Sequence, residues 1–159
     1  MHLESVRAVV TGGASGLGFA VAKFLVANGG KVALFDVNAE RGAAAVAELG
    51  AGNAHFFRTD VSDEAGVAAN VQAAKDALGG LNAAINCAGI LGSGRVLGKE
   101  GAMPLSTFAT TVMVNLVGSF NVAKAVAALM QANEPGEDGE RGVIVNTASV
   151  AAYEGQIGQ

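Results

Sequence analysis

The sequence predicts an α/β fold built on a doubly wound parallel sheet. Three observations predict it: short apolar runs alternate with helical segments, glycines mark the junctions, and the chain is apolar rather than charged. Of the 159 residues, 51% are hydrophobic and 15% are charged, a balance that suits a sheet buried on both faces. Alternating strands and helices of this size imply right-handed crossovers and therefore parallel strands.

The first half of the chain contains two strand–helix units. Arg7–Thr11 is a short apolar run that ends at a glycine, which is typical of a buried strand. A helix is predicted over 17–28, because apolar residues recur there at helical spacing before a glycine pair. Lys31–Asp36 is the second predicted strand, and the alanine-rich Ala39–Leu49 is the second helix.

The second half continues the alternation. Ala54–Arg58 is the third predicted strand, and Ser62 is the expected N-cap of a helix with acidic residues in its first turn. Ala83–Asn86 is the fourth strand, a long helix is expected over about 106–130, and 143–147 is the fifth strand. We expect most of the long helix to be buried in a soluble protein, because its Ser, Thr and Asn residues make it too polar to prefer a bilayer.

The whole chain, 1–159, is interpreted as one dinucleotide-binding domain whose C-terminal part is absent. No helix follows the fifth strand to cover it, and there is no sixth strand, whereas a complete doubly wound dinucleotide fold has two halves. We therefore expect the sheet to be truncated after its fifth strand.

Composition excludes several classes of function. A net charge of −4 gives no electrostatic reason to expect nucleic acid or an anionic membrane as a partner. The single cysteine, Cys87, permits no internal disulfide and fits a reducing compartment. No signal or transit peptide is visible, so we expect the cytoplasm. No metal site is expected, because His2 and His55 have no partner at ligand spacing.

A phosphate-binding turn is predicted where the first strand runs into the first helix, at TGGASGLG over 11–18. Gly12 lets the chain reverse sharply, Gly16 lets backbone amides approach a phosphate, and Gly18 allows close helix–strand packing. The helix N-terminus adds free N–H groups and the positive end of the helix dipole. The fold is therefore Rossmann-like, and the residues predicted to hold the cofactor here are Gly12, Ser15, Gly16, Leu17 and Gly18.

An acid, Asp36, closes the second strand. A carboxylate at this place can accept both hydroxyls of an adenosine ribose and would repel a 2′-phosphate. Nothing basic occupies Ala14, Ser15 or Val37 to compensate. The prediction is NAD rather than NADP, and the alternative is a surface Asp in a turn.

Together these motifs resemble those of the short-chain dehydrogenase/reductase family, over essentially the whole chain. The glycine turn resembles the family fingerprint, Thr-Gly-x-x-x-Gly-x-Gly, and four further segments resemble family motifs in the family's order. These are the adenine-contacting pair Asp60-Val61, the strand end Asn86-Cys87-Ala88-Gly89, the helix residue Asn115 and the strand that leads to Ser149.

The resemblance implies how the reaction would be divided among residues. Ser149 would hydrogen-bond the substrate oxygen, and Asn115 would support a water relay to a lysine; the alternatives are a polar strand end and a satisfied core amide. The family's Tyr and Lys would lie beyond residue 159. Tyr153 does not replace them, because Ile157 and not lysine follows it at the required spacing.

A closer resemblance is to the type II 3-hydroxyacyl-CoA dehydrogenases, also called 17β-hydroxysteroid dehydrogenase type 10. It is carried by the segments 133–135, 141–152 and 154–156. This resemblance implies fatty acid metabolism, with NAD-linked oxidation of a 3-hydroxyacyl-CoA by a homotetramer.

Three interpretations remain open on the sequence. The chain is part of an ordinary dehydrogenase, or it binds NAD without catalysis, or it is a defective fragment whose uncovered sheet edge favours aggregation. We favour the first.

Overall fold

The computed structural model describes residues 1–99, 101–155 and 157–158. The α-helices and strands in chain order are β1 (Arg7–Thr11), α1 (Gly16–Ala27), β2 (Lys31–Asp36), α2 (Ala39–Leu49), β3 (Ala54–Arg58), α3 (Glu64–Leu78), β4 (Ala83–Asn86), β5 (Leu97–Gly98), β6 (Gly101–Ala102), α4 (Leu105–Val112), a π-helical turn (Met113–Val117), α5 (Gly118–Met130) and β7 (Val143–Asn146). Five of the strands are parallel and form the main sheet, in the order β3-β2-β1-β4-β7. The predicted doubly wound α/β fold is confirmed, with β5 and β6 added as a small antiparallel hairpin.

Ser62 is not the N-cap of α3, so that prediction was wrong. The N-cap is Asp63, whose backbone is extended and whose carbonyl accepts from the Val67 N–H. Ser62 lies one residue earlier, in the preceding turn, where its hydroxyl donates to the Asp60 carboxylate at 2.6 Å.

The core has two halves, one on each face of the sheet. On one face Val9, Phe35 and Ala84 pack with α3 and α5, and on the other Val10 and Leu34 pack with α1 and α2. Successive residues of β1 and β2 therefore point to opposite faces, and both faces are covered, as a parallel sheet requires.

The long helix is mostly exposed, which contradicts the prediction of a mostly buried helix. Only 22% of its most apolar 18-residue stretch is buried, although Leu105–Met130 is long and apolar enough, by length and composition alone, to cross a membrane. One face of α5 packs on α3 and the sheet through Val122, Val126 and Met130. Its other face has no covering element within the described ranges, so apolar side chains such as Phe120 remain in contact with solvent.

Candidate dinucleotide-binding cleft

A cleft of about 600 Å³ lies at the carboxyl ends of the strands, where the strand order reverses between β1 and β4. This is the position at which open α/β sheets bind ligands. It brings together every residue predicted to bind the cofactor except Asn86. The lining residues are Gly12, Ser15, Gly16, Leu17, Gly18, Phe35, Asp36, Val37, Thr59, Asp60, Val61, Cys87, Ala88, Gly89, Ile90, Thr110 and Val114.

The glycine turn has the geometry that a phosphate group needs. The backbone φ angles of Gly12 and Gly16 are +62° and +53°, values that residues other than glycine rarely adopt. A Cβ on Gly18 would lie 2.4 Å from the Gly12 carbonyl oxygen, so α1 approaches β1 more closely than any other residue would allow. Beside Gly16 the space is open, which leaves the N-terminus of α1 accessible to a ligand.

Asp36 is held in place by two backbone N–H groups. Its Oδ2 accepts from Ala14, 3.2 Å away, and its Oδ1 accepts from Asn38, 3.1 Å away. The carboxylate is half-buried at the end of β2 and lines the cleft. Because each oxygen keeps a free lone pair, the group can still accept hydroxyl donors from a bound ribose.

Asp60 is a second carboxylate on the same side of the cleft. Its Oδ1 accepts from the Ser62 hydroxyl and from the Ser62 N–H, at 2.6 and 2.9 Å. These hydrogen bonds lower the pKa of Asp60, the hydroxyl contributing most. No lysine, arginine or histidine is among the residues that line the cleft in the described part of the chain, so two negative charges face any ligand there.

Thr11, the first residue of the glycine turn, has a role in the site that the sequence did not predict. Its side chain is 1% exposed, and its Oγ1 accepts from the N–H groups of Cys87 and Ala88, at 3.1 and 3.0 Å. The hydroxyl thus fastens the loop after β4 to the end of β1, directly under the cleft. A polar residue closing an otherwise apolar strand was the signal that could have revealed it.

Asn86 lies beneath the cleft and is not among the residues that line it, so its predicted role as a cofactor contact stays a prediction. It is 3% exposed, and its Nδ2 donates to Asn146 Oδ1 at 2.9 Å and to the Ser119 carbonyl at 3.3 Å. Its side chain joins β4 to β7 and α5, and it supports the cleft indirectly.

Asn115 lies in the π-helical turn, and both the oxygen and the nitrogen of its side-chain amide bond to the same residue. Its Oδ1 accepts from the Ile90 N–H at 2.8 Å, and its Nδ2 donates to the Ile90 carbonyl at 3.0 Å. Its own carbonyl accepts from the Ser119 hydroxyl, 2.7 Å away. In this structure Asn115 positions the loop after β4, and π-helical turns of this kind are frequent at functional sites.

Ser149 follows β7 and is exposed. Its Oγ accepts from the Ala151 N–H at 3.1 Å, and it is not among the residues that line the cleft. Neither is Asn115, so the structure does not bring the two predicted catalytic residues into the cleft wall. Tyr153 is 94% exposed, while Cys87 is half-buried in the wall with the Thr147 hydroxyl 3.7 Å from its Sγ.

A second cavity, of about 570 Å³, opens at the opposite edge of the sheet. It is lined by Arg7, Asn82, Asn133, Glu140 and Arg141, among others, near the amino ends of β1, β4 and β7. Ligands of doubly wound sheets bind at the carboxyl ends, so the first cleft is the candidate site.

Comparison with known proteins agrees with this geometry. The family model described as short chain dehydrogenase matches residues 6–159. The chain belongs to the short-chain dehydrogenase family. The resemblance and the fold predicted from the sequence are therefore both confirmed.

Three relatives show how similar the chain is within the family. It is 45% identical over 159 residues to 3-hydroxyacyl-CoA dehydrogenase type-2 of Drosophila melanogaster, covering 99% of this chain and 62% of the relative. It is 46% identical to the human protein of the same name, covering 60% of it. The crystal structure of 3-hydroxyacyl-CoA dehydrogenase type-2 from Mycobacterium avium superposes with a TM-score of 0.89 at 42% identity, covering 98% of this chain and 61% of that one. The chain thus spans less than two thirds of the length of these relatives.

Proposed function

We propose that this chain provides the NAD-binding cleft of an oxidoreductase that acts on the CH–OH group of a secondary alcohol. The observation that carries the proposal is the cleft itself. It combines a glycine turn opening onto the N-terminus of α1 with Asp36, an acceptor fixed at the end of β2. In doubly wound folds this pair of features recognises a pyrophosphate and an adenosine ribose.

The residues present fit NAD. The amides of the glycine turn would hold the pyrophosphate, and Asp36 would accept the ribose hydroxyls. Asp60 and Val61 would face the adenine, and the segment Cys87 to Ile90 would line the rest of the cleft. Two carboxylates and no basic side chain among its described lining residues disfavour the additional phosphate of NADP.

The chemistry then divides between cofactor and chain. Bound NAD supplies a hydride acceptor. Thr11 and Asn115 hold the loop after β4 in place from below and from the side. We keep Ser149 as the group that would hydrogen-bond the substrate oxygen, a role that depends on the family resemblance.

The substrate we propose is a 3-hydroxyacyl-CoA, oxidised to the 3-ketoacyl-CoA in fatty acid metabolism. This proposal is supported by two relatives with 45% and 46% sequence identity to this chain, both of which are named 3-hydroxyacyl-CoA dehydrogenase type-2. A homotetramer in the cytoplasm, without nucleic acid or membrane partners, completes the proposal.

A second function is favoured by one specific observation. The only tyrosine in the sequence, Tyr153, has Ile157 four residues later where the family mechanism needs a lysine. These 159 residues therefore contain no Tyr–Lys pair at that spacing. Unless such a pair is supplied from outside these residues, the protein would bind NAD without catalysing the reaction.

Two assays on the purified protein separate these functions. Calorimetric titration with NAD and with NADP measures the cofactor preference, and loss of NADH absorbance with acetoacetyl-CoA measures turnover. NAD binding with turnover supports the dehydrogenase, and NAD binding without turnover supports the second function. A protein that binds neither nucleotide would refute both.

A further inference from the structure

One wall of the cleft, the segment 59–61 between β3 and α3, is held by side chains from two helices. Asn70 of α3 donates its Nδ2 to the Arg58 carbonyl at 3.0 Å and to the Thr59 hydroxyl at 2.9 Å. Asn121 of α5 donates its Nδ2 to the Val61 carbonyl at 2.9 Å. The second contact joins residues 60 positions apart, and it ties the wall to a helix that does not line the cleft.

Three residues of α5, each three positions after the last, meet the start of α3. A Cβ on Gly118 would lie 2.5 Å from Val61 Cγ2, Asn121 holds the Val61 carbonyl, and Lys124 pairs with Glu64. Residues at this spacing share one face of a helix. This face of α5 is therefore a support that runs along residues 61–64, with Gly118 setting how closely the helix approaches.

Asn121 is poorly explained by stability alone. Its side chain is 5% exposed, and its Oδ1 has no hydrogen-bond partner within the part of the chain that the structure describes. A buried amide oxygen without a donor is unfavourable, and an apolar side chain of similar size would avoid that penalty. Among the described residues, the one hydrogen bond that this side chain makes is with the backbone of Val61, which lines the cleft.

We infer that Asn121 is a positioning residue for the adenosine side of the cleft. By holding the Val61 carbonyl it orients the backbone that carries Asp60 and Val61 toward the nucleotide. Gly118 takes part by allowing Val61 to rest against α5. This inference depends on the proposed NAD site, because Asp60 and Val61 are assigned to the adenosine half of that cofactor.

The test is calorimetric titration with ADP-ribose, which carries the adenosine half of NAD and lacks nicotinamide. Asn121→Leu removes the amide but keeps the number and branching of the side-chain heavy atoms, and Gly118→Ala pushes directly on Val61. Each should weaken ADP-ribose binding about tenfold, the usual consequence of losing or misplacing one buried hydrogen-bonded contact. Because both act through Val61, the double variant should lose less than the product of the two effects.

Asn133→Ala is the matched control. Asn133 also donates its Nδ2 to backbone carbonyls, those of Leu81 and Arg141 at 2.8 Å, but at the opposite edge of the sheet. It should lower the thermal midpoint and leave ADP-ribose affinity within about twofold.

The outcomes distinguish the inference from the function beneath it. If the unaltered protein does not bind ADP-ribose, the proposed cofactor site is wrong and the inference falls with it. If the unaltered protein binds but Asn121→Leu binds equally well, only the inference is overturned. If circular dichroism shows that Asn121→Leu is unfolded, Gly118→Ala decides: equal affinity overturns the inference, and the expected loss supports it.

Discussion

Replacing Asp36 with alanine should turn the cofactor preference of the cleft away from NAD and toward NADP. The carboxylate accepts from the Ala14 and Asn38 N–H groups, and in the proposed site it would also accept ribose hydroxyls. Its removal deletes those acceptors, removes a negative charge and frees two backbone donors. All three changes favour a 2′-phosphate over a 2′-hydroxyl.

The magnitude follows from these contacts. Losing hydrogen bonds to a charged acceptor, partly replaced by water in an open cleft, should weaken NAD binding by about 2 kcal/mol, roughly 30-fold. A unit charge about 5 Å from a phosphate of charge about −2, at an effective dielectric of about 40 to 80, repels it by about 2 to 3 kcal/mol. Together the ratio of the two dissociation constants should change by about a thousandfold.

Titration calorimetry with each nucleotide, at constant ionic strength, measures both constants. Asp76→Ala is the control, because it also removes one negative charge but from the exposed surface of α3, where the carboxylate accepts from Gln72 of the same helix. A ratio that stays within about threefold of the unaltered protein, or that changes equally in Asp76→Ala, would show that Asp36 does not select the cofactor.

Three further predictions concern the framework of the cleft. Gly18→Ala should abolish nucleotide binding and lower the free energy of unfolding, measured by urea titration, by about 2 to 4 kcal/mol, because the new Cβ would lie 2.4 Å from a backbone oxygen. Gly52→Ala is its control and should have neither effect, because no atom lies within 4 Å of the new Cβ. Thr11→Val keeps the shape of the side chain but leaves two N–H groups without their acceptor, and should cost about 2 to 4 kcal/mol in the same urea titration; a loss below about 1 kcal/mol would contradict this. Ser62→Ala should raise the pKa of Asp60 toward its ordinary value, as measured by NMR titration, because the main hydrogen bond that lowers it is lost. The stability that this bond confers is fully present above the ordinary Asp pKa of about 4 and is lost as the pH falls through the lowered pKa, so the two proteins should differ at pH 6 and converge in strong acid.

The strands of the first half could be predicted from the sequence to the residue. Arg7–Thr11 and Lys31–Asp36 are apolar runs bounded by glycine or by a charge, and the structure has the same bounds. Local signals suffice there because both faces of a buried strand need apolar side chains and the chain must turn at its ends.

The contacts that support the cleft could not be predicted in the same way. Thr11 meets the loop after β4, and Asn121 meets Val61, across 60 or more positions of sequence. Only the packing of α5 and the pairing of β1 with β4 bring these groups together. The sequence also does not show which apolar face of the helix over 105–130 packs against the rest of the protein, because its buried and exposed apolar residues are of the same kinds.

Asn86 shows a different limit. A motif resemblance places it beside the cofactor, but a motif records that residues occur together and not which of them touch a ligand. In the structure its Nδ2 donates to Asn146 and to Ser119, and its Oδ1 accepts from the Thr11 hydroxyl. The cleft is lined by the residues that follow it.

The reversal of strand order between β1 and β4 has a consequence for synthesis of the chain. The floor of the cleft joins Thr11 to residues 76 and 77 positions later, so a nascent chain that has not yet emerged beyond Ala88 cannot assemble a complete nucleotide site. NAD at about 100 times its dissociation constant would add about 2.7 kcal/mol of stability, but only after β4 has joined the sheet. The nucleotide would then act chiefly by slowing the unfolding of the folded domain. The strands β1, β2 and β3 would have to pair with one another before any nucleotide could bind and stabilise them.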